Sequence, residues 1–242
     1  MNSVTTTAAK PAIAFFDFDG TLLIRESRTL CSIPAVRRGL VAPSLGMRIF
    51  ASYVGYKFGV FPKDKANAIA FQCYRGRTPA EIAHFIDGLH TDIMRPLLSA
   101  SALERVEHHR ARGDELVIAT AAATFFAVPT ARECNIPHVL GTELVMHDGV
   151  CTGVVDGGVL DGERKLTKAR AFAAARGVDL ADCSFYSDHI ADLPLMNAVG
   201  KAVAVGPHRK LRDEATRRGW DIIEHSRRPT TAMTTTTTTR AP

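Results

Sequence analysis

Short apolar runs alternating with amphipathic stretches constrain this chain more than any other feature. Residues 12–18 (AIAFFDF), 115–120 (ELVIAT), 183–187 (CSFYS) and 201–205 (KAVAV) read as buried strands, and 220–223 (WDII) reads as a short edge strand. Helical patterns fill 99–112, 124–134, 163–176 and 208–218. Strand and helix in regular alternation predict an α/β fold with a doubly wound parallel sheet covered on both faces. At 46% hydrophobic residues the chain can bury such a sheet. In sheets of this kind ligands bind beyond the carboxyl ends of the strands.

One stretch breaks the rhythm. Residues 25–97 carry no convincing strand and read as helices near 27–38, 44–58, 63–73 and 79–94, punctuated by Pro43, Pro62, Pro79 and Pro96. They are too many for one crossover and predict a helical cap inserted after the first strand. The expected organisation is a core domain of 11–24 and 98–225 and a cap of 25–97. Loose ends are expected at 1–10 and 226–242, the latter holding the low-complexity run TTAMTTTTTTRAP. Residues 45–61 are apolar and aromatic, but Arg48 and Lys57 interrupt them, and the stretch is too short to span a bilayer. It reads as the inside of the cap, with contact to a greasy substrate or a membrane surface as the alternative.

Composition narrows the partners. The net charge is +5 and the basic residues are spread along the chain in ones and twos, Arg217-Arg218 and Arg227-Arg228 among the pairs. Nucleic-acid binders cluster such residues on one face or arm, so no nucleic acid is expected, and small anionic substrates suit the sign of the charge. The five cysteines are far apart and show no zinc-binding spacing, which reads as reduced thiols in a cytoplasmic protein. The first ten residues lack the apolar segment of a signal peptide.

The strand ends carry the chemistry. Asp17 and Asp19 follow the first strand, Thr120 ends the second, and Asp188 follows the third with Asp192 four residues on. Lys165 opens the helix before that third strand. Helix or turn capping accounts for any one of these aspartates. It accounts poorly for four carboxylates on one edge of one sheet. Clustered carboxylates without cysteine or paired histidine suit a hard cation such as Mg²⁺, which would also relieve the repulsion between Asp17 and Asp19.

These stretches resemble the four motifs of the haloacid dehalogenase superfamily. DFDGTLL (17–23) resembles its first motif, VIAT (117–120) the second, GERKL (162–166) the third, and YSDHIADLPLM (186–196) the fourth. The phrases GTELVMHDGVCTG (141–153) and VAVGPHRKLRDEATRRGW (203–220) are similar to the subfamily that contains phosphoserine phosphatase. The resemblance implies a Rossmann-type core and a Mg²⁺-dependent phosphatase acting on a small phosphomonoester. It implies Asp17 as nucleophile and Asp19 as general acid and base. It implies Asp17, the main-chain carbonyl of Asp19, and Asp188 as cation ligands. Thr120 and Lys165, with N–H groups near Gly20 and Ala121, would hold the phosphoryl oxygens. Asp192 would orient the cation's ligands or Lys165, and Thr21 would fix the turn. Glu26 would meet a substrate amine, which favours phosphoserine; read without the resemblance, it is equally an exposed glutamate at a helix start. Histidinol phosphate, a lysophospholipid or other lipid phosphate, and transfer to an alcohol instead of water remain open. The oligomeric state is not legible.

Overall fold

A computed structural model describes residues 12–39 and 41–227. The expected loose ends, apart from residues 226 and 227, lie outside the described residues. The chain opens on β1 (Ile13–Phe16), then runs through α1 (Ser27–Arg37), α2 (Pro43–Lys57), α3 (Lys63–Phe71), α4 (Pro79–Leu89) and α5 (Ala100–Ala111). It continues through β2 (Glu115–Ala123), α6 (Thr124–Glu133), β3 (His138–Thr142), β4 (Leu144–His147), β5 (Val150–Val155) and α7 (Gly162–Ala174). The last elements are β6 (Ser184–Ser187), α8 (Leu193–Ala198), β7 (Lys201–Val205), α9 (Arg209–Arg218) and β8 (Asp221–Ile223).

Six strands form one parallel sheet in the order β3-β2-β1-β6-β7-β8. Successive side chains on a strand point to opposite faces, so Phe16 packs into one buried layer and Phe15 into the other. The first layer also takes Tyr186, Leu103 and Val106; the second takes Phe185, Leu166, Leu195 and Leu211. Burial on both faces is what gives these strands their continuous apolar runs. From β1 the chain order leaves toward β2 on one side and toward β6 on the other. The carboxyl ends of β1 and β6 therefore flank the crevice at the switch point, where such sheets bind ligands.

The helices begin and end where local chemistry dictates. Thr78 and Glu81 form a reciprocal capping box at the start of α4, and Pro43 and Pro79 occupy first-turn positions where a missing N–H costs nothing. Gly46 lets α2 approach α1, because a Cβ there would stand 2.7 Å from the Val36 side chain.

β3, β4, β5 and α8 have no strong sequence signal. β3 is a half-buried edge strand, and β4 is mostly exposed, so neither shows an apolar run. β4 and β5 pair antiparallel as a separate hairpin that packs on the helices of the insert. There Gly76 N–H donates to the Cys151 carbonyl (2.7 Å), Cys151 N–H donates to the Arg77 carbonyl (2.8 Å), and Gln72 Nε2 donates to the Gly153 carbonyl (3.1 Å). α8 is a six-residue helix, too short to show a period.

A boundary also shifts. The tail was expected to begin at 226, but Ala100 N–H donates to the Ser226 carbonyl (2.9 Å) and Arg227 bridges to Ser99. Main-chain bonds that hold these two residues leave no composition signal.

A buried polar network ties α5 to the sheet. His109 Nδ1 lies 2.7 Å from Asp114 Oδ2, and its Nε2 lies 2.8 Å from the Tyr186 hydroxyl. An ionised Asp114 can only accept, so Nδ1 carries the proton and Nε2 accepts from Tyr186. Burial lowers the His109 pKa from its ordinary 6.5, outweighing the upward pull of Asp114. A histidine kept neutral in the fold contributes stability that is present above the unfolded pKa and is lost as pH falls below about 6.5. Thermal melting should therefore show a loss of stability on acidification from neutral pH, and His109→Gln should flatten that part of the profile. An unchanged profile in the variant would remove His109 as its source.

Candidate active site

Asp17 follows β1 directly, and its N–H donates to the Tyr186 carbonyl (2.9 Å), so the hydrogen bonding to β6 persists up to the carboxylate. Phe16 stands opposite Tyr186, which places Asp188 one residue past the level of Asp17 on the neighbouring strand. On the other side Phe16 stands opposite Ile118, which sets Thr120 at the level of the loop after β1. Thr120 does not end its strand, as its sequence position implied. β2 runs on to Ala123 through a register irregularity between Ala119 and Ala123, and Thr120 Oγ1 accepts from Ala122 N–H (3.0 Å) inside that irregularity. The neighbouring Ala121 carbonyl accepts from the Thr142 hydroxyl (2.8 Å), fixing the bend.

Lys165, in the first turn of α7, is 2% exposed and reaches across the second layer to this point. Its ammonium donates to Asp17 Oδ1 (3.2 Å) and lies 2.7 Å from Asp192 Oδ1 and 2.9 Å from Asp192 Oδ2. Ser187 Oγ also donates to Asp192 (2.6 Å), so Asp192 holds the lysine from behind. Burial alone would depress the Lys165 pKa, but Asp17 and Asp192 together hold it above its ordinary value. Burial lifts the Asp17 carboxyl well above the usual carboxylate range; Lys165 opposes this, and Asp192 and Asp188 add to it. Asp17 and Asp192 thus share one ammonium, and the buried Asp188 carboxylate adds its repulsion to Asp17.

Asp19 is partly open to solvent, and its Oδ1 accepts the Ser27 N–H (2.7 Å) at the start of α1. Burial raises its pKa to about 6, against the pull of that hydrogen bond. The same carboxylate therefore belongs to the strand-end loop and to the N-terminus of the helical insert. Gly20 has φ +74°, and a Cβ on it would lie 2.1 Å from Asp188 Oδ2, so only glycine lets this loop pass the carboxylate. The turn itself is closed by main-chain bonds, Leu23 N–H to the Phe18 carbonyl (2.9 Å) among them. The Thr21 hydroxyl is buried and has no hydrogen-bond partner, so it does not close that turn.

A cleft of about 340 Å³ opens over the loop, lined by Gly20, Glu26, Tyr53, Asp188, His208 and His225 among others. The Tyr53 hydroxyl on α2 donates to Glu26 Oε2 (3.1 Å). Tyr53, His208 and His225 lie outside the four motifs. His225 lies beyond the last strand, 205 positions from Gly20; its Nε2 is 3.0 Å from the Gly20 carbonyl and its Nδ1 2.9 Å from Ser99 Oγ. His208 Nε2 lies 3.3 Å from Asp188 Oδ2, and its N–H donates to the Asp188 carbonyl (3.0 Å). Tyr53 sits in the apolar stretch read as the inside of the cap.

The donor set fits a hard divalent cation. Asp188 Oδ1 is buried without a hydrogen-bond partner, a costly state for a carboxylate oxygen that no ligand engages. Among the described residues no three His, Cys, Asp or Glu side chains are grouped as a ligand set. A cation at Asp17 and Asp188 would thus draw on a main-chain carbonyl, such as that of Asp19.

The profile of the haloacid dehalogenase-like hydrolases matches residues 14–197, a stretch holding Asp17, Thr120, Lys165 and Asp188. The chain is a haloacid dehalogenase-like hydrolase. It is 32% identical over 219 residues to a probable phosphatase of Mycobacterium tuberculosis, covering 88% of this chain and 75% of that one. A phosphoserine phosphatase of Mycobacterium tuberculosis is 29% identical over 222 residues, covering 87% of this hydrolase and 70% of its own length. A crystal structure of a protein of unknown function from Bordetella pertussis Tohama I superposes with a TM-score of 0.82 at 30% identity, over 88% of this chain and 98% of that one.

Proposed function

We propose that this hydrolase removes the phosphoryl group from a small phosphomonoester through a covalent aspartyl-phosphate. The observation that carries the proposal is the buried Lys165 ammonium between Asp17 and Asp192, beside the partnerless Asp188 oxygen. A buried ammonium held charged by two carboxylates is a fixed positive group for phosphoryl oxygens and costs no reorganisation during reaction. Mg²⁺ held by Asp17, Asp188 and the Asp19 carbonyl supplies charge neutralisation between nucleophile and phosphate when bound.

The residues then divide the work. An Asp17 carboxylate oxygen forms a bond to phosphorus as the bond from phosphorus to the leaving oxygen breaks. Asp19, titrating near 6, gives its proton to that leaving oxygen. It afterwards takes a proton from the water that attacks phosphorus and frees Asp17. Lys165 and the Thr120 hydroxyl hold the phosphoryl oxygens, with main-chain N–H groups near Gly20 and Ala121. Asp192 keeps Lys165 in place. The helices 27–89 act as the cap over this loop, and Glu26, facing the cleft beside Tyr53, meets an amine on the substrate. The phosphoserine phosphatase among the relatives supports that substrate class.

The test is a panel of phosphomonoesters presented to the purified full chain with Mg²⁺. An aryl phosphate should release phosphate, and amine-bearing esters such as phosphoserine or histidinol phosphate should be turned over faster. EDTA should bring the rate to background. Full activity with the chelator present would remove the cation from the mechanism. Equal rates for amine-bearing and uncharged esters would remove Glu26 as a selector.

A further inference from the structure

α2 carries its apolar side outward. It buries Ser52 and half-buries Ile49, Tyr53 and Tyr56. Met47 and Phe50, by contrast, are 67% and 64% exposed, and Phe58 and Val60 just past its end are 80% and 81% exposed. Met47, Phe50, Val54 and Phe58 recur at intervals of three and four, which puts them along one side of the helix. Ile33 of α1 is exposed as well. Large apolar side chains collected in one segment mark a surface meant to be covered.

Charge identifies what covers it. From Ser27 to Lys63 the sequence holds six basic residues, Arg28, Arg37, Arg38, Arg48, Lys57 and Lys63, and no acidic one; Arg38 is paired with Asp92 (2.5 Å), and Arg37 and Arg48 are exposed. A second copy of the chain would bring two such basic segments together. An anionic bilayer offers negative headgroups to the exposed Arg37 and Arg48 and an apolar layer to the phenylalanines. The fifteen-residue α2 is too short to cross a bilayer, and none of the described helices is long and apolar enough to do so.

We propose that the α1–α2 face docks this hydrolase on the surface of an anionic lipid bilayer. Tyr53, on another side of α2, lines the cleft, so docking sets the cleft against a membrane surface through the same helix.

Co-sedimentation of the full chain with vesicles tests this directly. Vesicles of equimolar phosphatidylcholine and phosphatidylglycerol should carry the protein down at low salt, and vesicles of phosphatidylcholine alone should not. Raising the ionic strength should release it, because the headgroup attraction is screened within about 10 Å at 0.1 M salt. Phe50→Ser with Phe58→Ser should weaken binding by at least about tenfold, through the lost apolar insertion. Arg37→Glu with Arg48→Glu, both exposed positions, should do the same through charge. Both double variants should keep the parent's melting temperature and its turnover of a soluble aryl phosphate. The proposal is overturned if anionic vesicles fail to bind the parent, or if neither double variant weakens binding. It is also overturned if the chain is a dimer in solution that Phe50→Ser with Phe58→Ser dissolves.

Discussion

Asp17→Asn is expected to fold as the parent does and to lose at least about 10⁴-fold of kcat, the scale seen when a residue acting as one unit with its partners is removed. An amide in this position keeps the shape of the strand end and its main-chain bond to Tyr186, but it cannot attack phosphorus. It also removes one of the two carboxylates on the ammonium but strands no buried positive charge, because Lys165 keeps Asp192 at 2.7 Å. The melting temperature should accordingly hold or rise. Beryllofluoride with Mg²⁺, which mimics a phosphoryl group on a carboxylate, should bind the parent by calorimetry and not the variant. Equal binding to both would rule out Asp17 as the covalent nucleophile, and substantial turnover by a carefully purified variant would do the same.

Lys165→Met is expected to be the most destabilising single change at the site. The ammonium is 2% exposed and touches both Asp17 and Asp192. Removing one member of a buried ionic group leaves the others uncompensated, which costs about 3–5 kcal/mol. For a chain of this size each kcal/mol moves the melting temperature by about 2–4 °C, so a fall of roughly 10 °C follows. Turnover should also drop by about 10² to 10³, the usual effect of losing one preorganised donor to a developing phosphoryl charge. The two effects separate in the double variant Lys165→Met with Asp192→Asn. Neutralising the stranded partner should recover much of the melting temperature and none of the turnover. Recovery of neither would mean that the lysine stabilises the fold by packing its stem, not by pairing its charge. Recovery of both would mean that it takes no part in holding the phosphoryl group.

Much of the architecture was legible because it is written in local periodicity. The apolar stretches 13–16, 116–119, 185–186 and 202–205 belong to strands buried on both faces, and that pattern needs no knowledge of neighbours. Asp17, Asp19, Lys165, Asp188 and Asp192 could be singled out because each is a charged residue against an apolar strand end or helix start. Other features depend on contacts between distant parts of the chain, which leave no periodic mark. β3 and the β4–β5 hairpin lie where few faces are buried, so their residues carry no apolar run. Ser226 and Arg227 are held by main-chain bonds to the start of α5, to which any residue type contributes. His225 reaches the loop after β1, and His208 reaches Asp188 after β6, only because the parallel sheet brings β7 and β8 to the same side as β6. The apolar stretch 45–61 shows the division most plainly. Its composition determined that some apolar surface would cover it, but only the packing of α2 against α1 and α3 decided which side faces in. The result is a helix with Ser52 inside and Phe50 out, an assignment that depends on the neighbouring helices and not on the helix itself.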